Sequence, residues 1–554
     1  MLHIQANDHW EFHLAVKKQK QNQMNFKYFF GLGLVGLSCQ TVIGIVPKRA
    51  EFPPNILLIL ADDMGYSDIG CFGSEIPTPN LDRLANKGVR FAQFYNAARC
   101  CPTRASLLTG LYQHQAGVGD MVNDLGVPAY QGYLNNSSVT LGEVMKLNGY
   151  NTYMSGKWHV GNRTETLPRQ RGFDRYFGLI DGASSYFESI PYRINQKATR
   201  LMLDDANFYP PKEGFYMTNA ITDYALNFLE EEKPKEQPFF MYLAYTAPHW
   251  PLHALPEDIV KHRGKYIKGW SVMRKERYDR MKKLGLIDAT CKLSPDDENS
   301  PDWNSLNEEE KRMWDLRMSV YAAMIDRLDQ NIGRVIAQLE KMGELNNTLI
   351  IFLADNGGCH EVIKNQGNYI RTTGETGTIN SFDSYEFPWA NVSNTPFRMY
   401  KHWVHEGGIS TPFIAFYPQM IKGGKLVTET VGHITDLMPT FVDFAGGMYP
   451  QNFKGNNITP MEGISLRSAF SGKKLDRSKP LFWEHEGNRA IRKGDWKLVA
   501  TYDSESKKYM PWELYNLKAD RSELKDVISE NPELKNQLIQ EYDQWAKRVG
   551  VLTR

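Results

Sequence analysis

Reactive side chains stand just after four apolar segments of the sequence. The segments predict short buried strands, and the residues that follow them are carboxylates, an amide, an ammonium group and imidazoles. In chain order they are Asp62 and Asp63 after residues 55–60, Lys157 and His159 after 150–154, His249 after 239–243, and Asp355 and Asn356 after 349–353. In an open α/β sheet, ligands bind at the carboxyl ends of the strands. The four strand exits therefore predict one polar site assembled from distant parts of the chain.

A further group of reactive residues has a more specific spacing. Cys100 and Cys101 begin the string Cys-Cys-Pro-Thr-Arg-Ala-Ser-Leu-Leu-Thr-Gly, in which Pro102 and Arg104 follow Cys100 at fixed offsets. Adjacent cysteines taken alone are often small buried apolar residues. Aspartates after a strand are likewise common as turn or capping residues. Three acids gathered at one sheet edge, however, would repel one another without a cation.

The segments between the strands predict the helices that must support such a site. Apolar residues from Met324 to Leu339 recur at three- and four-residue steps, which is typical of an amphipathic helix. Thr140 and Glu143 form a capping-box pattern before another helix. Alternating strands and helices predict a mainly parallel sheet. Because the strand segments are apolar throughout, we expect helices on both faces of that sheet.

The chain changes character after about Gly472. Residues 480–484, 489–500 and 512–516 have the pattern of short antiparallel strands, and residues 532–549 predict a closing helix. We therefore predict an α/β domain over residues 54–473, built on a large, mainly parallel mixed sheet sandwiched by helices. A smaller α+β subdomain with an antiparallel sheet is predicted over residues 474–554.

Bulk composition excludes several classes of protein. The 554 residues include 65 Lys and Arg against 64 Asp and Glu, a balance that does not favour a nucleic-acid binder. The mean hydropathy of -0.48 excludes a polytopic membrane protein. Six cysteines in a chain of this length do not indicate a disulfide scaffold. Any attraction for a charged substrate must therefore come from a local pocket.

The N-terminal residues predict export. Residues 24–46 contain a basic start, an apolar stretch and small residues around Ser38 and Cys39, which is the pattern of a signal peptide. Residues 1–23 are polar and patternless, so we expect a non-native leader and a natural start at Met24. Cleavage before Cys39 would give a lipoprotein, and this alternative to plain secretion stays open. A spanning helix needs about 20 apolar residues, and polar residues interrupt this run.

The string from Cys100 to Gly110 resembles the signature of the formylglycine-dependent sulfatases. Other segments that resemble this family follow in its order: 54–63, 156–159, 247–249, 355–357 and 401–408, with 265–270 and 389–397 similar to bacterial arylsulfatases in particular. The resemblance implies an alkaline-phosphatase-like fold. It also implies that a separate maturation enzyme oxidises Cys100 to formylglycine (3-oxoalanine). Counting from Cys101 instead places neither Pro102 nor Arg104 correctly.

The resemblance implies a metal site as well. Asp62, Asp63, Asp355 and Asn356 match the family's ligands, and the cation would also contact the formylglycine formed from Cys100. Carboxylate and amide oxygens suit Ca²⁺ or Mg²⁺ rather than zinc. We expect one Ca²⁺ ion, with Mg²⁺ as the less favoured alternative.

The resemblance further assigns roles to the cationic residues. One hydroxyl of hydrated formylglycine would attack sulfur to form a covalent sulfoenzyme, and the other would later expel sulfate. Arg104 would hold the formylglycine, Lys157 would contact the sulfate, and His159 would take the proton from the second hydroxyl. His249 and Lys401 would face the bridging oxygen and assist departure of the leaving group.

These observations predict an exported sulfuric ester hydrolase of the arylsulfatase type, in the bacterial periplasm or at the cell surface. The expected substrate is a sulfated carbohydrate or an aryl sulfate. No nucleic-acid partner is expected, and contact with the membrane is expected only through a lipid on Cys39. Two alternatives stay open: a formylglycine-dependent phosphonate or phosphodiester hydrolase, and a non-catalytic glycan-binding lipoprotein. Specificity is expected in loops, including the long segment 361–396.

Overall fold

The described part of the structure begins after the predicted N-terminal segments. The computed structural model describes residues 53–231, 237–363, 369–371, 373–475 and 477–554. The predicted leader, the signal segment and Cys39 therefore lie outside the described residues. Within the described part of the chain, no helix has both the length and the apolar character needed to cross a membrane.

A ten-stranded mixed sheet forms the centre of the α/β part of the chain. Its five middle strands pair in parallel, and antiparallel pairs flank them on both sides. The prediction of a large, mainly parallel mixed sheet is confirmed. In spatial order the strands are Lys425–Val427, Val89–Phe91, Phe413–Phe416, Thr348–Ala354, Asn55–Ala61, Phe239–Ala244, Asn151–Gly156, Arg175–Leu179, Leu201–Leu203 and Ala206–Phe208.

Helices cover both faces of this sheet. In the central strand Asn55–Ala61, Leu57 packs into the core shared with the helix Glu308–Lys341. Its neighbour Ile56 points the other way, into the core shared with the helix Cys100–Thr109. This arrangement confirms the predicted sandwich. The other α-helices of the described residues are Pro79–Lys87, Leu141–Leu147, Met217–Glu231, Pro256–Ile259, Trp270–Lys283, Glu386–Ser393, Glu406–Ile409, Leu437–Ala445, Arg467–Phe470 and Pro532–Val549.

Local sequence explains where two of the helices begin. The Thr140 side chain accepts a hydrogen bond from the Glu143 backbone, and the Glu143 side chain returns one, so the predicted capping box is confirmed at the start of Leu141–Leu147. Asn307 caps the 34-residue helix Glu308–Lys341 in the same way. Each cap satisfies backbone N–H groups that the first turn of a helix leaves unpaired.

A separate antiparallel sheet forms near the C-terminus, as predicted. Its strands, in order, are Leu481–His485, Asn488–Lys493, Trp496–Ala500 and Glu513–Asn516. The closing helix Pro532–Val549 packs on this sheet, with Trp545 and Tyr542 in a shared apolar cluster with Ile491 and Leu498.

Candidate active site

The strands that precede the predicted site residues are direct neighbours in the sheet. Thr348–Ala354, Asn55–Ala61, Phe239–Ala244 and Asn151–Gly156 lie side by side and run parallel. Their carboxyl ends therefore meet at one edge, where ligands of open α/β sheets bind. Gly156 ends its strand at φ +125°, and a Cβ there would lie 1.8 Å from the Ala244 carbonyl oxygen, so only glycine fits at this exit.

Asp63, at the first strand exit, is hydrogen-bonded to both residues of the fourth exit. The Asp63 backbone N–H donates to Asp355 Oδ1 at 3.1 Å, and Asn356 Nδ2 donates to Asp63 Oδ1 at 2.7 Å. Lys157 Nζ donates to Asp62 Oδ2 at 2.5 Å. All of these side chains are buried. Arg104 Nη2 lies 3.5 Å from Asp62 Oδ2 and 2.8 Å from Asp355 Oδ2, so the four predicted carboxylate and amide ligands lie together.

Two oxygens of this cluster lack partners. Asp62 Oδ1 and Asn356 Oδ1 are buried and have no hydrogen-bond partner in the described structure. Burial, together with the charge of Asp355, raises the pKa of Asp62 well above its ordinary value, although Lys157 and Arg104 oppose this shift. A hard divalent cation would satisfy both oxygens and relieve the crowding of negative charge. The residues present therefore fit the cation that the sequence predicts.

Each carboxylate of the cluster is also paired with a cationic side chain. Arg104 donates from Nη2 and Nε to Asp355 Oδ2 at 2.8 and 3.1 Å, and from Nη1 to the Lys157 carbonyl at 2.9 Å. Lys401 Nζ lies 2.9 Å from Asp63 Oδ2. Three acids and three cations balance, so an added divalent cation would make the site positive. Such a site would attract an anionic ester.

The His249 and Lys401 side chains differ in protonation. His249 Nδ1 donates to the Trp250 carbonyl at 2.6 Å, and its Nε2 lies 3.3 Å from Lys401 Nζ. Burial lowers the pKa of His249 to about 3, and Lys401 contributes to this shift although Asp63 opposes it. Burial also acts to lower the pKa of Lys401. Nearby negative charges, of which Asp63 has the largest effect, outweigh burial and raise that pKa well above its ordinary value. Lys401 is therefore the charged donor of the pair, and the lone pair of neutral His249 faces it.

The two cysteines of the signature string have different environments. Cys100 is the first residue of the helix Cys100–Thr109. A hydrogen bond from the Cys101 thiol lowers the pKa of the Cys100 thiol well below its ordinary value. Burial acts to raise this pKa, whereas the charges of Lys157 and His159 lower it further. Burial raises the pKa of Cys101 well above its ordinary value. Cys101 Sγ lies 3.3 Å from His159 Nε2, a contact that the sequence did not predict.

A glycine makes room for the His159 ring. A Cβ on Gly182 would lie 2.5 Å from Cε1 and Nε2 of that ring. His159 itself has φ +55°, in the left-handed region. Gly182 was not identified from the sequence, because nothing in the pattern around it indicates which ring it faces.

One cavity of about 410 Å³ gives access to the site. Its lining includes Cys100, His159, His249 and Lys401. Arg104 and Lys157 are fully buried, and their ion pairs tie them to the carboxylates. Every predicted site residue therefore either lines this cavity or belongs to the buried cluster of carboxylates and their cationic partners beside it.

The cavity wall contains residues that the sequence did not single out. Arg99 Nη2 forms an ion pair with Glu361 Oε1 at 2.9 Å, and Trp250 Nε1 donates to Glu361 Oε2 at 2.6 Å. Tyr192, Arg193 and Tyr369 also line the cavity. Glu361 and Tyr369 lie in the segment 361–396 that was expected to carry specificity, whereas Tyr192 and Arg193 had no signal in the sequence.

The fold and the strand-exit site define the class of the protein as an alkaline-phosphatase-like hydrolase. A sulfatase family model matches residues 54–448, and a model of the C-terminal region of N-sulphoglucosamine sulphohydrolase matches residues 397–548. The chain therefore belongs to the sulfatase family and is a sulfuric ester hydrolase. The predicted resemblance to this family, including bacterial arylsulfatases, is confirmed.

Individual relatives cover most of the chain. An uncharacterized sulfatase of Schizosaccharomyces pombe is 38% identical over 534 residues, which are 91% of this chain and 96% of that protein. The arylsulfatase of Klebsiella aerogenes is 36% identical over 77% of this chain and 94% of its own length. The crystal structure of Ps i-CgsB in complex with k-i-k-neocarrahexaose matches with a TM-score of 0.64 and 27% identity, covering 89% of this chain and 93% of that one.

Proposed function

We propose that the enzyme hydrolyses a sulfate ester of a carbohydrate or an aryl alcohol, with formylglycine at position 100 and one Ca²⁺ ion at the strand exits. The observation that carries the proposal is the position of Cys100. It begins a buried helix and lines the same cavity as His159, His249 and Lys401. The names of the relatives support both substrate classes, because one is an arylsulfatase and another was solved with a carbohydrate.

The proposed groups would be held by the residues described above. Asp62, Asp63, Asp355 and Asn356 would bind the cation, and this assignment is supported by the two oxygens of the set that have no partner among the described residues. When present, formylglycine supplies an oxygen nucleophile directed at sulfur, and the cation supplies positive charge for the sulfate oxygens.

The chain's own residues have distinct tasks in this proposal. Lys157 is fully buried and paired with Asp62. It would donate a hydrogen bond from a remaining ammonium N–H to the sulfate. Lys401, held protonated, would donate a hydrogen bond or a proton to the bridging oxygen as the alcohol leaves. Neutral His249, whose Nε2 lies 3.3 Å from Lys401 Nζ, would take a proton from water and pass it to the Lys401 amine, which restores the protonated lysine. His159, also neutral because burial lowers its pKa, would accept a proton close to Cys100.

The first test is chemical analysis of the peptide that contains Cys100. After co-expression with a maturation enzyme, mass spectrometry is expected to show that residue 100 has lost sulfur and gained an aldehyde oxygen. An unmodified thiol in an active preparation would contradict the proposal. Cys100→Ala is expected to abolish turnover, with Cys101→Ala as the matched control that keeps most of it. Comparable loss in both variants would mean that the wrong thiol is assigned.

The second test separates a sulfatase from a phosphonate or phosphodiester hydrolase. Sulfate, phosphate and phosphonate release would be measured from matched aryl esters. We expect sulfate release to dominate by kcat/KM. A screen of sulfated monosaccharides that differ in the sugar and in the position of the ester would then identify the substrate.

The third test concerns the cation. Added Ca²⁺ is expected to raise the melting temperature, since a ligand at 100-fold its dissociation constant stabilises a protein by about 2.7 kcal/mol. Asn356→Ala removes one proposed ligand and should shrink that shift, whereas Asn346→Ala, in a distant surface groove, should not. An equal calcium response in both variants would place the ion elsewhere.

Export is part of the same proposal. It is supported only by the pattern of residues 24–46, which predicts either a signal peptide or a lipoprotein signal with Cys39 as the lipidated residue. Metabolic labelling with a fatty acid would distinguish lipidation at Cys39 from plain secretion, with Cys39→Ser as the control.

A further inference from the structure

The guanidinium of Arg193 differs from the other cationic groups of the cavity wall. Arg99 forms an ion pair with Glu361, and Lys401 forms one with Asp63, both at 2.9 Å. Arg193 lines the same cavity, but it forms no ion pair with any carboxylate of the described residues. Among the described residues, its charge and its remaining N–H donors are thus left available to a ligand.

Aromatic residues hold Arg193 in place. Its Nη2 donates to the Tyr369 hydroxyl at 3.0 Å, and its Cζ lies 5.2 Å from the Tyr369 ring centre and 5.5 Å from that of Tyr192. The backbones of Arg193 and Tyr369 form an antiparallel bridge, and the Ile370 N–H donates to the Tyr192 carbonyl at 3.1 Å. Stacking on tyrosine orders a guanidinium without neutralising it.

Tyr192, Trp250 and Tyr369 form an aromatic wall that extends from Arg193 to the catalytic residues. The Trp250 ring centre lies 5.9 Å from that of Tyr192 and 5.7 Å from that of Tyr369, and Trp250 directly follows His249 in the chain. Aromatic faces with a few polar groups suit a ligand that has an apolar ring face and polar substituents, as a sugar has. The wall therefore connects the reaction centre to Arg193.

Charges around Arg193 leave its attraction for an anion intact. Glu361, the acid nearest the aromatic wall, is already paired with Arg99. Asp181 also lines the cavity, but it accepts the Arg200 backbone N–H at 2.6 Å and forms no ion pair with Arg193.

We propose that Arg193 binds a second anionic group of the substrate, carried next to the residue whose sulfate ester is cleaved. The inference rests on the proposed sulfatase function and narrows the substrate to a polyanionic sulfated carbohydrate. The second group is a sulfate or a carboxylate, because guanidinium donates two parallel hydrogen bonds to either. The Tyr192, Trp250 and Tyr369 rings would contact the sugar between the two anionic groups.

The test compares matched disaccharides that share one scissile sulfate. Their neighbouring sugar is neutral, carries a carboxylate, or carries a second sulfate. The readout is the ratio of kcat/KM between the anionic and neutral forms. In the unaltered enzyme we expect a ratio of about 10 or more, which is typical of a hydrogen-bonded charge pair. In Arg193→Gln the ratio should fall to about one, whereas Arg193→Lys should retain part of it. The carboxylate and sulfate arms show which anion is preferred.

Two further variants sharpen the comparison. Tyr369→Phe keeps the ring and removes the hydroxyl that receives the Arg193 hydrogen bond, so an intermediate ratio is expected. Arg163→Gln is the control, because Arg163 is not part of the cavity lining. Its Cζ lies 3.9 Å from the Tyr133 ring centre, and its Nη2 lies 3.8 Å from Asp124 Oδ2. Its ratio should match the unaltered enzyme.

Two results would overturn this assignment. One is a kcat/KM ratio of about one in the unaltered enzyme. The other is a ratio that Arg193→Gln leaves unchanged, which includes the case in which kcat/KM falls equally for all the disaccharides. Failure of the proposed function has a different signature. In that case, enzyme with verified formylglycine would release sulfate from none of the disaccharides and from no aryl sulfate.

Discussion

At the scale of single residues, the position of the His159 ring depends on a neighbour that has no side chain. The ring lies where a Cβ on Gly182 would be 2.5 Å away, so any larger residue there must push the ring or the backbone aside. A proton acceptor works only within hydrogen-bond reach of its partner. Gly182 is therefore a positioning residue for His159.

Gly182→Ala is expected to lower kcat by about 100-fold, since a misplacement of about 1 Å in an active site can cost that much. Steady-state kinetics with an aryl sulfate would measure the effect, and thermal melting would check that the variant folds. If Gly182 acts through His159, adding Gly182→Ala to His159→Ala should cost nothing more. Additive losses in the double variant would refute the positioning role.

At the scale of elements, the helix Leu141–Leu147 depends on its first residues. Thr140 accepts the Glu143 N–H at 3.1 Å and donates to the Arg171 carbonyl at 2.6 Å, and it is fully buried. Loss of the hydroxyl leaves two buried backbone groups without their partner. The cap therefore matters for stability beyond its own helix turn.

Thr140→Ala is expected to reduce the free energy of unfolding by about 1–2 kcal/mol. Urea denaturation would measure the change. Thr553→Ala, at an exposed position, should stay within about 0.5 kcal/mol of the unaltered protein. Equal effects of the two substitutions would show that the cap does not contribute.

At the scale of the whole molecule, the C-terminal sheet holds the segment that carries Lys401. Glu513 pairs with Arg398 at 2.6 Å and with His405 at 3.3 Å, and Glu486 pairs with His402 at 2.9 Å. These contacts lie on both sides of Lys401 in the chain. The C-terminal sheet thus helps to place a residue of the active site.

A buried ion-pair cluster completes this connection. Glu406 Oε1 lies 3.1 Å from Lys497 Nζ, and Glu406 Oε2 lies 3.4 Å from Arg521 Nε. Burial alone would raise the pKa of Glu406, but Lys497 and Arg521 outweigh it and lower the pKa to about 2. Because the folded-state pKa lies below the ordinary value of 4.5, Glu406 stabilises the fold above pH 4.5. That contribution is lost as the pH falls towards 2.

Glu406→Gln is expected to destabilise the protein by about 3–5 kcal/mol at neutral pH, the usual cost of breaking a buried ion pair. Urea denaturation at several pH values should show the difference from the unaltered protein shrinking between pH 4.5 and 2. Glu308→Gln, in an exposed pair with Lys311, should cost at most about 1 kcal/mol. A difference that is independent of pH would contradict the assigned role of the Glu406 charge.

Much of the fold and the core of the site could be predicted from local patterns. The apolar strand segments, the capping box at Thr140 and the periodic segment 324–339 each depend on neighbours in the chain, which a sequence displays directly. Asp62, Lys157 and Asp355 were predicted because parallel strands end at one sheet edge. Gly182 and Arg193 could not be predicted, since a close approach or an unpaired charge depends on which distant residues pack nearby.

The sequence by itself determined the family, the mixed parallel sheet and the set of reactive residue types, because strand periodicity and motif spacing are local properties. Only the tertiary structure decided that His249 is neutral beside a charged Lys401 and that the C-terminal sheet supports residues 398–406. It also decided that Asp62 and Asn356 each have one oxygen without a partner among the described residues. These properties depend on burial and on distances between residues far apart in the chain, and both exist only after the chain has packed.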